Sequence, residues 1–168
     1  MKRQIALLLL ACTALGASAQ WRYESKTSPM SDTPERRATL KSENAFAFAS
    51  PYQGGTSEWL YLRRDADGLD FALGINRGQF VHSDDVAIRF DKGDVLTFPL
   101  GEPADGTSRL AFIHFPGRVK GCAQDCDISR DDFLRRLLAA RHATIQATYY
   151  QEGQKAYEFK TLGLVWAE

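Results

Sequence analysis

Apolar and polar side chains alternate with a period of two residues along most of the chain after residue 20. The clearest stretch is residues 69–80. Its first half has a large apolar side chain at every second position: Leu69, Phe71, Leu73 and Ile75. Such alternation predicts a strand that turns one face to the core. Shorter stretches of the same kind cover residues 21–26, 45–48, 58–64, 86–90, 95–100, 109–115, 143–151 and 156–166.

Turn-forming residues separate these stretches. Gly, Pro and Asp mark turns at residues 51–55 and 91–94, and residues 152–155 join the last two stretches into a C-terminal hairpin. Residues 27–36, rich in Ser, Pro, Thr and Asp, are expected to form an exposed loop. Many short strands broken by turns predict a mainly β fold, an antiparallel sandwich or half-barrel with one helix.

The predicted helix lies near residues 129–141. Ser129 is a suitable N-cap, and Asp131 and Asp132 in the first turn oppose the positive end of the helix dipole. The apolar stripe of the helix consists of Phe133, Leu134, Leu137 and Leu138. We expect this stripe to face the core.

The first 19 residues have the layout of a secretory signal peptide. Lys2 and Arg3 give a positive start, an apolar run covers residues 5–15, and small residues at 17 and 19 form a signal peptidase site. The apolar run is shorter than the about 20 residues that a membrane span needs. We predict cleavage after Ala19, a periplasmic or secreted location and no transmembrane segment.

An alternative interpretation of the signal involves Cys12. Residues 9–12, Leu-Leu-Ala-Cys, resemble a bacterial lipobox, in which Cys12 would carry a lipid anchor and become the first residue. The peptidase site at residues 17–19 would then have no purpose, which favours the soluble form over the lipoprotein.

Cleavage at this site changes the size and charge of the chain. It leaves 149 of the 168 residues, which we predict to form a single β-rich domain over residues 20–168. Loss of Lys2 and Arg3 leaves 19 basic residues against 21 acidic ones, a net charge of −2. Nucleic-acid-binding proteins usually carry a basic excess, so no nucleic-acid partner is expected.

Two cysteines remain after cleavage, Cys122 and Cys126, in a compartment that permits disulfides. A redox pair is the less favoured alternative because such pairs usually have a two-residue spacing. A zinc site would need two more ligands, such as His114 or His142. We therefore predict a disulfide between Cys122 and Cys126 that stiffens the loop before the helix.

The densest polar cluster of the chain includes His82, Asp84 and Asp85. A catalytic base with orienting carboxylates would need side chains that converge, but neighbours in an extended chain point to opposite faces. We interpret the cluster as a polar turn, and we expect His114 in the core or at its boundary. No known hydrolase, phosphate-loop or calcium-loop motif occurs, so we predict no catalytic residue, metal or cofactor.

Aromatic residues are the remaining candidates for a site. Most should belong to the core or to cross-strand pairs, but an exposed cluster would mark a protein-binding face. The candidates for such a face are Trp21, Tyr52, Trp59 and Tyr150.

The order of these segments is similar to that of a known family. A Trp just after the signal precedes the segments 86–91, 133–140, 143–150, 157–159 and 162–164. In this order the chain resembles the exported VasI/TagO family associated with type VI secretion, and uncharacterised exported proteobacterial proteins like it. The resemblance implies a non-enzymatic periplasmic or envelope accessory protein, and it raises the hypothesis of a link to a secretion system.

Three hypotheses for function follow. The first is a periplasmic or envelope module that binds another envelope protein. The second, in the same class, is an immunity or inhibitor protein that neutralises a toxin. The third is a small secreted hydrolase that uses carboxylates brought together by the fold, for which a deep cleft with facing carboxylates would be needed.

The processing of the chain can be tested by the intact mass of the protein purified from an exporting host. We expect a mass that begins at Gln20 and, after alkylation without reductant, no labelled thiol. A mass that begins at a lipidated Cys12 would contradict the soluble form, and two alkylated thiols would contradict the disulfide.

Overall fold

The computed structural model describes residues 21–27, 34–121 and 126–166. Within these ranges the chain forms short strands and one helix, in this order: β1 (Arg22–Thr27), β2 (Pro34–Lys41), β3 (Phe46–Phe48), β4 (Gly54–Thr56), β5 (Glu58–Asp65), β6 (Gly68–Ile75), β7 (Asp85–Phe90), β8 (Val95–Gly101), β9 (Leu110–Ile113), β10 (Arg118–Val119), β11 (Cys126–Asp127), α1 (Arg130–Ala139), β12 (His142–Tyr149) and β13 (Gly153–Lys160).

Nine of these strands form one antiparallel sheet in the order β1-β2-β5-β6-β9-β8-β7-β12-β13. β8 joins the two halves of the sheet, since residues 95–99 pair with β7 while Leu100 and Gly101 pair with β9. The sheet does not close into a barrel. Its buried apolar side chains gather in one core. The predicted mainly β architecture, a sandwich or half-barrel, is confirmed.

Alternation along the strands turns one apolar face inward. Leu60 and Leu62 of β5 and Leu73 of β6 have no exposed surface. α1 packs on this core through Phe133, whose ring lies 4.6–5.5 Å, centroid to centroid, from four other rings. These rings belong to Phe71, Phe90, Phe98 and Phe115. Because each buried aromatic side chain removes a large apolar area from water, this cluster fixes the helix on the sheet.

The helix begins where the sequence predicts it. Ser129 is the N-cap, its hydroxyl accepts from the Asp132 amide at 3.1 Å, and the Asp132 carboxylate accepts from the Ser129 amide at 3.1 Å. This capping box satisfies amides that the first turn leaves without partners. The predicted stripe is wrong at Leu138, which is 42% exposed. It follows the buried Leu137 by one residue, about 100° around the helix, and so lies past the edge of the stripe.

Three strand boundaries differ clearly from the sequence pattern. The strand predicted over residues 69–80 ends at Ile75, because a bend follows at residues 76–78. β2 begins at Pro34, although residues 27–36 were expected to form a loop, because its first residues pair with β1 outside the core and lack apolar alternation. β13 ends at Lys160 and not near residue 166. There Thr161 turns the chain, since its hydroxyl donates to the Ala140 carbonyl at 2.8 Å.

The predictions about export and the disulfide fall largely on residues 1–20 and 122–125, outside the described residues. Cleavage after Ala19, lipidation of Cys12 and the pairing of Cys122 therefore stay predictions. Cys126 begins β11 and is partly buried against the core. In the described part of the chain, α1 is neither long nor apolar enough to cross a membrane.

The outer edge of β13 is covered by the segment that follows β2. The Glu43 amide donates to the Glu158 carbonyl at 2.7 Å. The Asn44 side chain then takes the place of the next backbone unit, donating to the Ala156 carbonyl at 3.0 Å and accepting from the Glu158 amide at 2.8 Å. One end of the sheet is thereby closed to strand pairing.

Asn44→Ala should destabilise the fold by about 1–2 kcal/mol, because it removes two hydrogen bonds to β13 and leaves the partly buried Ala156 carbonyl without a partner. Glu43→Ala is the matched control, since its backbone amide keeps the bond to β13 and its exposed side chain should contribute less than about 0.5 kcal/mol. Urea denaturation measures both. Equal stabilities for the two variants would contradict this role of Asn44.

Candidate functional site

The outward side of β2, β5, β6 and β9 carries two rows of side chains that cross all four strands. The strand register gives the rows, which are Thr39–Tyr61–Ala72–Phe112 and Lys41–Trp59–Gly74–Leu110. We name these eight residues the outer face. Four of them are large, apolar or aromatic, and yet only partly buried: Trp59, Tyr61, Leu110 and Phe112. Contiguous exposed side chains of this kind mark an interaction surface more often than scattered ones do.

Glycines let rings lie close to the backbone on this side of the sheet. A Cβ atom on Gly74 would lie 2.6 Å from a carbon of the Tyr61 ring. A Cβ on Gly101 would lie 1.9 Å from Nε2 of His114. Because Gly74 and Gly101 have no side chain, the rings of Tyr61 and His114 can lie directly on the backbone. His114 is exposed here, so its expected position in the core or at its boundary is wrong.

The arginines at one end of the outer face have carboxylate partners. Arg37 pairs with Glu35, and Arg63 lies 3.4 Å from Asp65 and 3.1 Å from Asp70. Between this charged rim and the rows lies a hollow of about 290 Å³, lined mainly by Tyr61, Leu110, Phe112 and Ala72. This end offers an apolar surface whose charges are already satisfied.

The other end of the outer face carries cations without such partners. Lys41 and Arg22 form no salt bridge with any carboxylate in the part of the chain that the structure describes. The Lys41 ammonium lies 5.7 Å from the centroid of the Trp59 ring, within range of a cation–π interaction. Trp59, Thr39 and both cations line a second hollow of about 290 Å³. The outer face is therefore apolar at one end and positive at the other.

The structure does not bring the four predicted binding-face aromatics together. Trp59 lies on the outer face, Tyr150 is 51% exposed at the turn between β12 and β13, and Tyr52 packs against the core near the β3–β4 turn. The prediction is wrong for Trp21, which is 7% exposed. Its indole N–H donates to the Thr161 carbonyl at 3.0 Å, so the side chain joins the first strand to the C-terminal segment.

The polar cluster before β7 does not converge on one point. Nε2 of His82 lies 2.9 Å from the Leu110 carbonyl oxygen, and Asp85 lies 4.0 Å from Lys120. Among the hydrogen bonds of the described residues, the Asp84 side chain contacts only the neighbouring Ser83 hydroxyl. The Asp84 amide donates to the Val81 carbonyl at 3.1 Å, which closes a turn. No group of three or more His, Cys, Asp or Glu side chains within the described ranges could hold a metal ion.

A larger hollow, of about 630 Å³, lies at the N-terminus of α1. The capping box already occupies amides of the first turn. Arg64 lies 3.9 Å from Asp131, and Arg130, which also lines the hollow, lies 3.4 Å from Asp70. Since the helix amides are capped and both arginines already face a carboxylate, this hollow is a weaker candidate than the outer face.

One carboxylate lies inside the core. Glu58, the first residue of β5, has no exposed surface, and one of its side-chain oxygens accepts from the Tyr149 hydroxyl. The Tyr157 hydroxyl donates to the Thr56 carbonyl at 3.2 Å, beside the Tyr149 ring, whose centroid lies 5.9 Å from that of Tyr157. The second Glu58 oxygen and the Thr56 hydroxyl are buried with no partner among the described residues.

Burial shifts the titration of this cluster. Removal from water raises the pKa of Glu58 from its ordinary value of 4.5 to about 8, because the charged form loses its solvation, and the Tyr149 hydrogen bond only partly opposes this. Burial also raises the pKa of Tyr149 and of Tyr157, with a further increase from the charge of Glu58. Glu58 is therefore mainly a neutral acid at pH 7.

No sequence motif marks Glu58 as a site residue, although the strand pattern contains a signal for its position. The period of two that turns Leu60 and Leu62 inward also turns Glu58 inward. Glutamate at a strand end is usually solvated, so the pattern alone does not predict its burial. Burial depends on the β3–β4 hairpin, where the Phe46 ring lies 5.0 Å from Tyr157 and the Phe48 ring 5.5 Å from Tyr149.

Glu58→Gln should flatten the dependence of stability on pH. Between pH 4.5 and about 8 Glu58 keeps its proton in the folded protein but has released it in the unfolded chain. The stability of the wild type therefore falls as pH rises through this window. The slope due to Glu58 is at most about 1.4 kcal/mol per pH unit. Urea denaturation at pH 5, 6, 7 and 8 measures it.

The control for this measurement is Glu102→Gln, which removes an exposed carboxylate by the same change of atoms. It should keep the pH profile of the wild type. If the Glu58→Gln profile also matches that of the wild type, Glu58 does not hold its proton in the folded protein.

No protein family, no curated protein and no solved structure matches this chain. The resemblance to the VasI/TagO family therefore stays a prediction.

Proposed function

We propose that this chain is a non-enzymatic periplasmic or envelope protein whose outer face binds a segment of another exported protein. The observation that carries the proposal is the pair of rows in which Trp59, Tyr61 and Phe112 stay partly exposed on one side of the sheet. Tryptophan and tyrosine are enriched at the centres of protein interfaces, where they supply most of the binding energy.

The charge of the outer face indicates the chemistry of the partner. A segment that suits it would place apolar side chains over Tyr61 and Phe112, where the neighbouring arginines already have partners. It would place a carboxylate near Lys41 and Arg22, which lack one among the described residues. An acidic polypeptide segment with one or two large apolar side chains meets both requirements.

The same observations bear on the immunity or inhibitor protein and on the hydrolase. An immunity or inhibitor protein would use the same kind of surface, so the identity of the captured partner distinguishes it from an accessory protein, and a partner from a secretion system would support that link. A hydrolase needs an accessible acid or base. Glu58, the carboxylate with a raised pKa, is enclosed by the core and lines neither the two hollows of the outer face nor the hollow at the N-terminus of α1.

Trp59→Ala should abolish most of the binding. Truncation of a central aromatic residue at an interface typically costs about 2 kcal/mol or more, which is about a 30-fold increase in Kd. The test is affinity purification from periplasmic extract with mass spectrometry, followed by titration of the recovered partner. We expect a stoichiometric partner with the wild type and its loss with Trp59→Ala.

Tyr150→Ala is the matched control, since it removes an aromatic side chain that is 51% exposed but lies away from the outer face. It should keep the partner. Retention of the partner by Trp59→Ala would overturn the assignment of the outer face. Recovery of no stoichiometric partner, together with turnover of a peptidoglycan or ester substrate, would favour the hydrolase.

A further inference from the structure

The two outer edges of the nine-stranded sheet differ in how far other residues cover them. The outer edge of β13 is covered by Glu43 and Asn44, as described above. β1 lies at the opposite end, and among the described strands only β2 pairs with it. All six residues of β1 are exposed. An edge strand of this length presents a row of backbone donors and acceptors to a further strand.

The side chains of β1 determine which strand would fit. Arg22, Glu24 and Lys26 point to the outward side of the sheet, as do their register partners on β2, which are Thr39, Arg37 and Glu35. A second antiparallel strand places residues directly opposite one another on the same side of the sheet. Opposite charges in such pairs stabilise the sheet, and like charges destabilise it.

A second copy of β1 satisfies this requirement in two registers, and the length of the strand distinguishes them. A twofold axis perpendicular to the sheet passes between the two copies of one residue, so that outward side chains face outward side chains. With the axis at Ser25, Glu24 faces the partner's Lys26, Lys26 faces the partner's Glu24, and residues 23–27 of β1 are paired. With the axis at Tyr23, Arg22 faces the partner's Glu24, but only residues 22–24 of β1 are paired. With the axis at Glu24, two glutamates face each other and Arg22 faces the partner's Lys26, so every outward pair carries like charges.

We propose that two copies of this chain pair through β1 with the twofold axis at Ser25, which continues the sheet across the dimer. Two symmetry-related pairs of Glu24 with Lys26, together with the longer overlap of the strands, then select the register. On the other side of the strand, Tyr23, which is 48% exposed, faces the partner's Thr27, an aromatic and β-branched pair of the kind that stabilises sheets. The outer face stays free, so this pairing does not depend on the proposed function.

Charge reversal tests the pairing on the purified chain. Sedimentation equilibrium should show a reversible dimer of the wild type. Glu24→Lys and Lys26→Glu should each raise the dimer Kd at least about tenfold, because each turns two attractive pairs into two repulsive ones. The double variant Glu24→Lys/Lys26→Glu restores opposite charges and should return the Kd to within about threefold of the wild type.

Matched controls separate the register from net charge. Asp94→Lys and Lys92→Glu make the same changes of charge at exposed positions of the turn between β7 and β8, and they should leave the dimer Kd unchanged. A wild type that stays monomeric at its highest soluble concentration would overturn the proposal. So would a double variant that dimerises no better than the single variants.

A cysteine cross-link tests the position of the axis. Ser25 faces the partner's Ser25, and directly opposed residues of antiparallel strands have Cα atoms about 4.5–5.5 Å apart, within disulfide range. Ser25→Cys should therefore give a disulfide-linked dimer under mild oxidation. Glu24→Cys should not, because its Cα lies more than about 7 Å from its symmetry mate in this register. Cross-linking of Glu24→Cys in place of Ser25→Cys would overturn the register.

Discussion

The pairing of β5 with β2 on one side and β6 on the other is the constraint on which both notable features of this protein depend. The register of this central strand turns Leu60, Leu62 and Glu58 into the core and Trp59 and Tyr61 to the outside. A shift of one residue would exchange the two faces, because side chains alternate along a strand. The buried acid and the aromatic outer face are thus opposite sides of one short segment.

The buried acid lowers the stability of the fold that contains it. A neutral Glu58 at pH 7 requires a proton that the unfolded chain does not hold, and its second oxygen has no partner among the described residues. The surrounding rings compensate for this cost. Phe48 and Phe80 pack on Tyr149 with centroid distances of 5.5 and 5.2 Å, so the hydrogen bond to Glu58 lies within a well-packed aromatic cluster.

Local patterns predicted the elements better than the roles of individual residues. The strand alternation around Leu60 and Phe71, the N-cap Ser129 and the acidic first turn of the helix depend on near neighbours in the chain, and all are found as expected. The positions of Trp21 and His114 depend on segments far away in sequence. Trp21 is buried and bonds to Thr161 of the C-terminal segment, and His114 is exposed with its ring over Gly101 of β8.

The sequence by itself determined that this chain forms a mainly β domain with one capped helix, because a period of two and an N-cap are properties of adjacent residues. It also determined which side chains share a face of each strand. Only the tertiary structure decided which faces meet water. The order of the strands brings Tyr61 and Phe112 into one row, and the β3–β4 hairpin encloses Glu58, since burial depends on contacts between segments that the local pattern does not contain.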